Sequence, residues 1–374
     1  MDAKTQHGYL VIADISGFTS YLVRVELEHA HEILTDLLET IVQELKTLLT
    51  ISKLEGDAVF AYVSESNTPG GERVLELVES TYIAFRRQRE ISQRNTTCTC
   101  KACKSIPGLD LKFFVHHGDF IVQQVSGIRE LVGSDVNLIH RLVKNHVAES
   151  TGWHAYVLFT SQALEHMNVH PEGLHEQVES YEHLGDVRVL CLNLHERYQA
   201  IISARRVIVP PEEADLIFSI EFPAPAPVAW HYVTDPGKKS QAFNGYAVFT
   251  PKSRPGGRHG PGASNHCAHG KDFKGTTIET FLDWRPFEYL TIQSVEGKMV
   301  IWETYRFEQI LEGRETRLHV FTQIVSMQLP RWFKRPLVKL FAAQKLIMPY
   351  HAMAEFMTND YVAGTAEQLM QPVA

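Results

Sequence analysis

Residues 8–19 read GYLVIADISGFT, an apolar β-branched run that ends on Asp14 and turns at once through Ile15-Ser16-Gly17-Phe18-Thr19. The run at 8–14 is short and apolar enough to predict a buried strand, and SGFTSYLV after it predicts a helix start. A strand ending on a carboxylate and followed by a helix N-terminus puts an acid and free backbone N–H groups at one sheet edge. That combination suits phosphate oxygens, and Gly17 allows a ligand to approach the backbone closely.

The following segments predict an alternation of helices and strands. Residues 29–49 place Ile33, Leu34, Leu37, Leu38, Ile41, Val42, Leu45 and Leu48 at helical spacing. Residues 49–63, LTISKLEGDAVFAYV, read as two strands around a Glu-Gly-Asp turn. A helix is expected over 70–91, a strand pair over 109–125 (LDLKFFVHHGDFIVQQV), and one helix over 134–150. Strands and a short helix between 154 and 194 complete a mixed sheet-and-helix unit. Composition changes after about residue 196. Proline clusters at 209–211 and 222–227 flank a new strand, 251–270 reads as a Gly/His/Pro-rich loop, and a helical pattern runs from about 336 to 362. Two domains are expected, at 5–196 and 205–374.

The 374 residues are 44% apolar and 21% charged, which supplies ample core. A net charge of −8 argues against a whole-chain nucleic-acid binder. The start, MDAKTQHGYLVIAD, has no basic segment leading into an apolar one, so no signal peptide is expected. Leu337–Met357 carries Lys339, Gln344, Lys345 and His351 and does not read as a membrane span. Five cysteines, an odd number, fit a reducing compartment. A cytoplasmic location is expected.

Two carboxylates, Asp14 and Asp57, can converge on one edge of the predicted sheet as hard ligands for Mg²⁺ or Mn²⁺ against phosphate. Three stretches together, Ala13-Asp14-Ile15-Ser16-Gly17-Phe18-Thr19, Lys53-Leu54-Glu55-Gly56-Asp57 and Gly133-Ser134-Asp135-Val136-Asn137 with Arg141, resemble the class III nucleotidyl cyclases in order and spacing. The resemblance covers about half the chain. It implies an α+β fold, a ferredoxin-like βαββαβ cyclase-homology domain, with ATP as partner. Asp14 and Asp57 would bind the divalent cation, helped by the Ile15 backbone, and Ile15 to Thr19 would contact nucleotide. Lys53 and Glu130 match the family's purine-selecting positions. Lysine donates and ionised glutamate accepts, which suits adenine's N1 and 6-amino group and leaves guanine mismatched. Glu130 departs from the aspartate common there. Asn137 and Arg141, one helical turn apart, would orient the ribose and stabilise charge at the transferring phosphorus.

In the family, two domains meet head to tail and share each site. The metal aspartates come from one and the base-reading, ribose and arginine positions from the other, so Lys53 and Asp57 would serve different sites. Here the arm segment DFIVQQVSGIRELV (119–132) is short and has Gln123 and Gln124 in place of small residues. A monomer or weak homodimer that binds ATP with weak or no turnover is therefore expected. The alternative is an active homodimeric adenylate cyclase, in which the ribose 3′-oxygen attacks the α-phosphate and pyrophosphate leaves.

Cys98, Cys100 and Cys103 form C-x-C-x-x-C in a polar insertion. Two readings stay open: a structural Zn²⁺ site with a fourth ligand from His116, His117 or a partner chain, and free thiols in a loop. His266-Cys267-Ala268-His269 is a weaker soft-metal candidate than a plain loop. Ser219-Ile220-Glu221-Phe222-Pro223-Ala224-Pro225 with Val228-Ala229-Trp230-His231-Tyr232-Val233-Thr234-Asp235-Pro236 resembles the START-like polyketide cyclase and lipid-transport (SRPBCC) superfamily. That implies a helix-grip domain with an apolar cavity for a small hydrophobic ligand. The basic cluster Arg331, Lys334, Arg335, Lys339 could favour anionic membranes, but reads rather as the solvated face of a helix whose other side closes the cavity.

Overall fold

Strand β1 (Thr5–Ser16) is buried over most of its length because neighbouring strands pair with both of its edges and helices pack over the sheet. In this computed structural model the chain divides into two units, Met1–Ser203 and Ala204–Ala374. The structure describes residues 4–22, 27–67, 70–95, 101–126, 128–243, 245–270, 273, 275–327, 329–341 and 343–362.

The first unit continues with α1 (Phe18–Leu22), α2 (Leu27–Leu45), β2 (Thr50–Glu55), β3 (Ala58–Ser64), α3 (Glu72–Asn95), α4 (Lys101–Ser105) and β4 (Asp110–Val125). Then come β5 (Ile128–Val132), α5 (Ser134–Leu142), α6 (Val147–Thr151), β6 (Tyr156–Thr160), α7 (Ser161–Met167), β7 (His175–Tyr181), β8 (Gly185–Asn193) and α8 (Leu194–Ser203). The sheet order is β2-β3-β1-β4-β6-β8-β7, with β5 hairpinned onto β4. Its first four strands stand in the 4-1-3-2 order of a βαββαβ unit, antiparallel throughout. On one face Leu10, Ile12, Phe60, Phe114 and Phe120 pack against Val136, Ile139 and Leu142 of α5.

Two segments differ from expectation. Residues 110–125 form one 16-residue strand rather than a pair. Gly118 makes no turn there. It opens a place for Asp135, whose carboxylate accepts the Asp119 N–H at 2.6 Å and lies 3.4 Å from His116 Nε2. The helix expected over 134–150 breaks between α5 and α6. The Asn145 side chain donates to the Leu142 carbonyl (2.8 Å) and accepts from Val147 N–H (2.9 Å), competing with the helical ladder. A Cβ at position 118 would overlap the Asp135 carboxylate. Gly118→Ala should therefore push α5 off the sheet and lower stability by about 2–3 kcal/mol, read as the midpoint of urea unfolding.

The second unit comprises β9 (Leu216–Phe222), α9 (Ala226–Thr234), α10 (Pro236–Ala242), β10 (Ala247–Ser253), β11 (Ser264–His269), β12 (Gly275–Arg285), β13 (Tyr289–Glu296), β14 (Met299–Ile310), β15 (Glu315–Ile324), α11 (Arg331–Phe341) and α12 (Ala343–Met357). Its sheet runs β10-β11-β12-β13-β14-β15-β9, antiparallel throughout, so the first strand lies beside the last. Helix α12 packs against β9 and α10. The stretch expected to be a loop at 251–270 is bounded by paired strand, with Cys267 opposite Phe249. Of the basic cluster, Lys339 is exposed as expected and the Arg331 side chain lies outside the described residues, but Lys334 and Arg335 do not form a solvated face. Lys334 is buried, donating to the Ile324 carbonyl (2.7 Å) and ion-pairing with Asp215 (2.6 Å). Arg335 donates to the Ala214 and Glu212 carbonyls, whereas Trp332 and Leu340 are 78% and 76% exposed. Both units are α+β. Among the described residues no helix is long and apolar enough to cross a membrane.

Candidate functional site

The end of β1 and the β2–β3 turn meet at one edge of the first sheet. Asp14 stands opposite Ala58 of β3 and Lys112 of β4. The Ile15 N–H donates to the Asp57 carbonyl at 3.3 Å, which ties the turn to the strand. Burial pushes the Asp14 carboxyl above its ordinary range, opposed by Lys112. Burial first, and then repulsion by Asp14, push Asp57 up to about 6, opposed by a backbone hydrogen bond and by Lys112. Two partly desolvated carboxylates that repel each other form an oxygen donor set that a hard divalent cation would relieve.

Ile15 and Ser16 are buried on β1. Gly17 has φ +86°, a conformation that favours glycine, and a Cβ there would meet the Gly108 carbonyl oxygen at 2.7 Å. Phe18 opens α1, and Thr19 is described by its backbone alone. The helix is only five residues long, so this edge offers N–H groups with little of a long helix's dipole.

Lys53 and Glu130, 77 positions apart in sequence, lie side by side with Nζ 3.5 Å from Oε1. Lys53 also pairs with Glu55 at 2.9 Å, and Glu55 lies 3.3 Å from His140 Nδ1. The hydrogen bond to Glu55 raises the Lys53 ammonium pKa, burial opposes this, and Glu130 adds to it. Burial lowers His140, with Glu55 opposing. Sequence reasoning missed Glu55 and His140. Glu55 is two residues beyond Lys53 on the same strand, and His140 lies one helical turn beyond Asn137. Asn137 and Arg141 are both exposed on α5. Among the described residues their side chains make no hydrogen bond or ion pair, and neither joins the Asp14–Asp57 pair.

Cys98 and Cys100 fall outside the described residues, while Cys103 is a buried thiol outside any disulfide. His266-Cys267-Ala268-His269 lies on β11, where alternation sends His266 and Cys267 to opposite faces. Burial and then Glu279 push the Cys267 thiol up to about 12, and its sulfur lies 3.8 Å from His269 Nδ1.

The interior of the second unit carries charge. Lys239 on α10 donates to both Glu279 oxygens at 2.9 and 3.0 Å and lies 4.1 Å from the Phe249 ring centre. Glu303 accepts from the Tyr305 hydroxyl at 2.9 Å and from Thr322 at 3.2 Å, and Tyr305 and Tyr350 share a 2.6 Å hydrogen bond. Burial raises the Glu303 carboxyl pKa.

A family model described as a protein of unknown function (DUF2652) matches residues 34–151. The uncharacterized protein Rv2561/Rv2562 of Mycobacterium tuberculosis is 35% identical over 117 residues, 31% of this chain and 54% of that protein. The chain thus spans about half the length of the curated relative it matches. Among solved structures, the guanylyl cyclase Cya2 is similar at 17% identity and TM-score 0.40, covering 51% of this chain and 93% of that one. The adenylyl cyclase CyaB from P. aeruginosa is similar at 16% identity and TM-score 0.40, covering 56% and 100%. A bacterial light-regulated adenylyl cyclase is similar at 12% identity and TM-score 0.39, covering 52% and 54%.

Proposed function

We propose that the first unit is a class III cyclase-like domain that binds ATP with Mg²⁺ or Mn²⁺ and turns it over weakly or not at all. The observation that carries this reading is the Asp14–Asp57 pair, two mutually repelling carboxylates beside the Ile15–Phe18 backbone. In this reading the pair holds the cation against the phosphates, beside the backbone of the Gly17 turn. Where two copies meet head to tail, Lys53 donates to adenine N1 and Glu130 accepts from the 6-amino group of the ATP held by the other copy's Asp14–Asp57 pair, and their 3.5 Å juxtaposition supports a base pocket. Glu55 and His140 hold Lys53 in place. Titration of ATP and GTP in the presence of Mg²⁺ tests the base pocket. ATP should bind at least 10-fold more tightly, and Lys53→Met with Glu130→Gln should erase the difference. Equal affinity of the native chain for both nucleotides would count against the pocket.

The alternative, an active homodimeric adenylate cyclase, is favoured by one feature: Asn137 and Arg141 present unengaged side chains to solvent. In a dimer they would serve the Asp14–Asp57 pair of another copy. The short β4–β5 hairpin favours a monomer or weak homodimer instead.

For the second unit we infer a START-like, helix-grip ligand-binding domain coupled to nucleotide binding. An antiparallel sheet with its first strand beside its last, and α12 against it, supports that reading. Lys239, Glu303 and the Tyr305–Tyr350 pair suit a hydrophobic ligand with one polar end.

A further inference from the structure

The first unit also gathers imidazoles far from the Asp14–Asp57 edge. His7 on β1, His117 on β4 and His166 on α7 bring their nitrogens within 4.8 Å of one another. The strand register explains the meeting. Tyr9 stands opposite His117 and His7 opposite Asp119, so all four side chains share one face, and α7 lies over β4 on that side. His117 stacks on His166 with ring centres 3.7 Å apart and meets the His7 ring edge-on at 4.4 Å. His116 points to the opposite face, toward Thr160 and Asp135, and takes no part. His7 and Asp14 lie seven residues apart on a regular strand, about 23 Å, and on opposite faces. The two sites are separate.

We propose that His7, His117 and His166 bind one divalent transition-metal ion of the zinc class, with Asp119 orienting His7. His117 is only 3% exposed, and its Nε2 has no hydrogen-bond partner although it is buried. A buried, unpartnered nitrogen beside two further imidazoles is an expensive arrangement for a protein to keep without a ligand. His7 Nδ1 donates to Asp119 Oδ1 at 2.6 Å, which leaves Nε2 as its free lone pair. A carboxylate on the far nitrogen is the usual support of a metal-bound histidine. Zinc–nitrogen bonds near 2.0–2.1 Å need nitrogens roughly 3.3 Å apart in a tetrahedron. The exposed His7 and His166 rings can turn to close that gap. Three imidazoles leave a fourth position open to water, as in catalytic rather than structural zinc sites.

The test uses the full chain without a histidine tag, washed with chelator and titrated with Zn²⁺, with Co²⁺ absorption reporting the ligand geometry. The native chain should bind one equivalent with a tetrahedral Co²⁺ spectrum. His7→Gln with His166→Gln, both exposed positions, should keep the native far-ultraviolet circular dichroism and weaken binding at least 100-fold. Asp119→Asn should weaken it 10- to 100-fold. A Cys98→Ser, Cys100→Ser, Cys103→Ser variant should bind as the native chain does. No metal on the native chain, unchanged binding by the double histidine variant, or loss in the cysteine variant would each overturn the proposal.

Discussion

Replacing Asp14 and Asp57 together by asparagine should weaken metal-dependent ATP binding at least 100-fold and, at the same time, stabilise the metal-free protein at pH 7. The first effect follows from removing both hard anionic ligands, which leaves a triphosphate with only backbone N–H groups to meet it. The second follows from the direction of the shifts. Asp57 is raised to about 6 by burial and by Asp14. Between about pH 4 and pH 6 the folded state therefore holds a proton that the unfolded state has released. Stability falls as pH rises through that window, and the full penalty is present above it. After allowance for solvent screening, removing the charges should recover about 1 kcal/mol at pH 7. The gain should shrink toward pH 4, where the native carboxyl is already neutral. Thermal unfolding in chelator at the two pH values, with titration of ATP and Mg²⁺, measures both effects. A variant less stable at pH 7 than the native chain would mean that the pair is structural.

Lys239→Met should cost more stability than Gly118→Ala, about 3–5 kcal/mol. Lys239 is 2% exposed and donates to both oxygens of Glu279, which is itself buried. Methionine keeps the length of the stem and its packing on Phe249 but leaves Glu279 buried without its partner, near Glu303. Adding Glu279→Gln removes the stranded charge and should restore a large part of the loss. Because the pair lies in the second unit, the unfolding transition of that unit should move by roughly 10 °C at about 2–4 °C per kcal/mol, while ATP affinity stays unchanged. A shift under 1 kcal/mol would show that the ammonium and carboxylate are not buried as charges.

Local patterns were legible where neighbouring residues decide the structure. The apolar run before Asp14, the Glu-Gly-Asp turn and the helical spacing from Ile33 to Leu48 each lie within one window, and β1, the β2–β3 hairpin and α2 form there. Features set by distant partners were not legible. Residues 109–125 read as a strand pair until Asp135 is seen closing on Gly118, and 134–150 reads as one helix until the Asn145 side chain engages the backbone. Lys334 and Arg335 read as solvated until Asp215 and the carbonyls of residues 212 and 214 receive them. The motif residues Asp14, Asp57, Lys53 and Glu130 could be named from the sequence, but Glu55 and His140 could not, since only folding shows what surrounds Lys53. The histidine cluster is the extreme case. His7, His117 and His166 share no motif, and their meeting follows from the register of β1 on β4 and the packing of α7.

Calorimetric titration of ATP into the native chain, with Mn²⁺ and again in chelator, is the most direct test of the central claim. Saturable binding of one ATP per chain with Mn²⁺, lost in chelator, is the predicted result. Absence of saturable binding with Mn²⁺, or binding that chelator leaves unchanged, would contradict it.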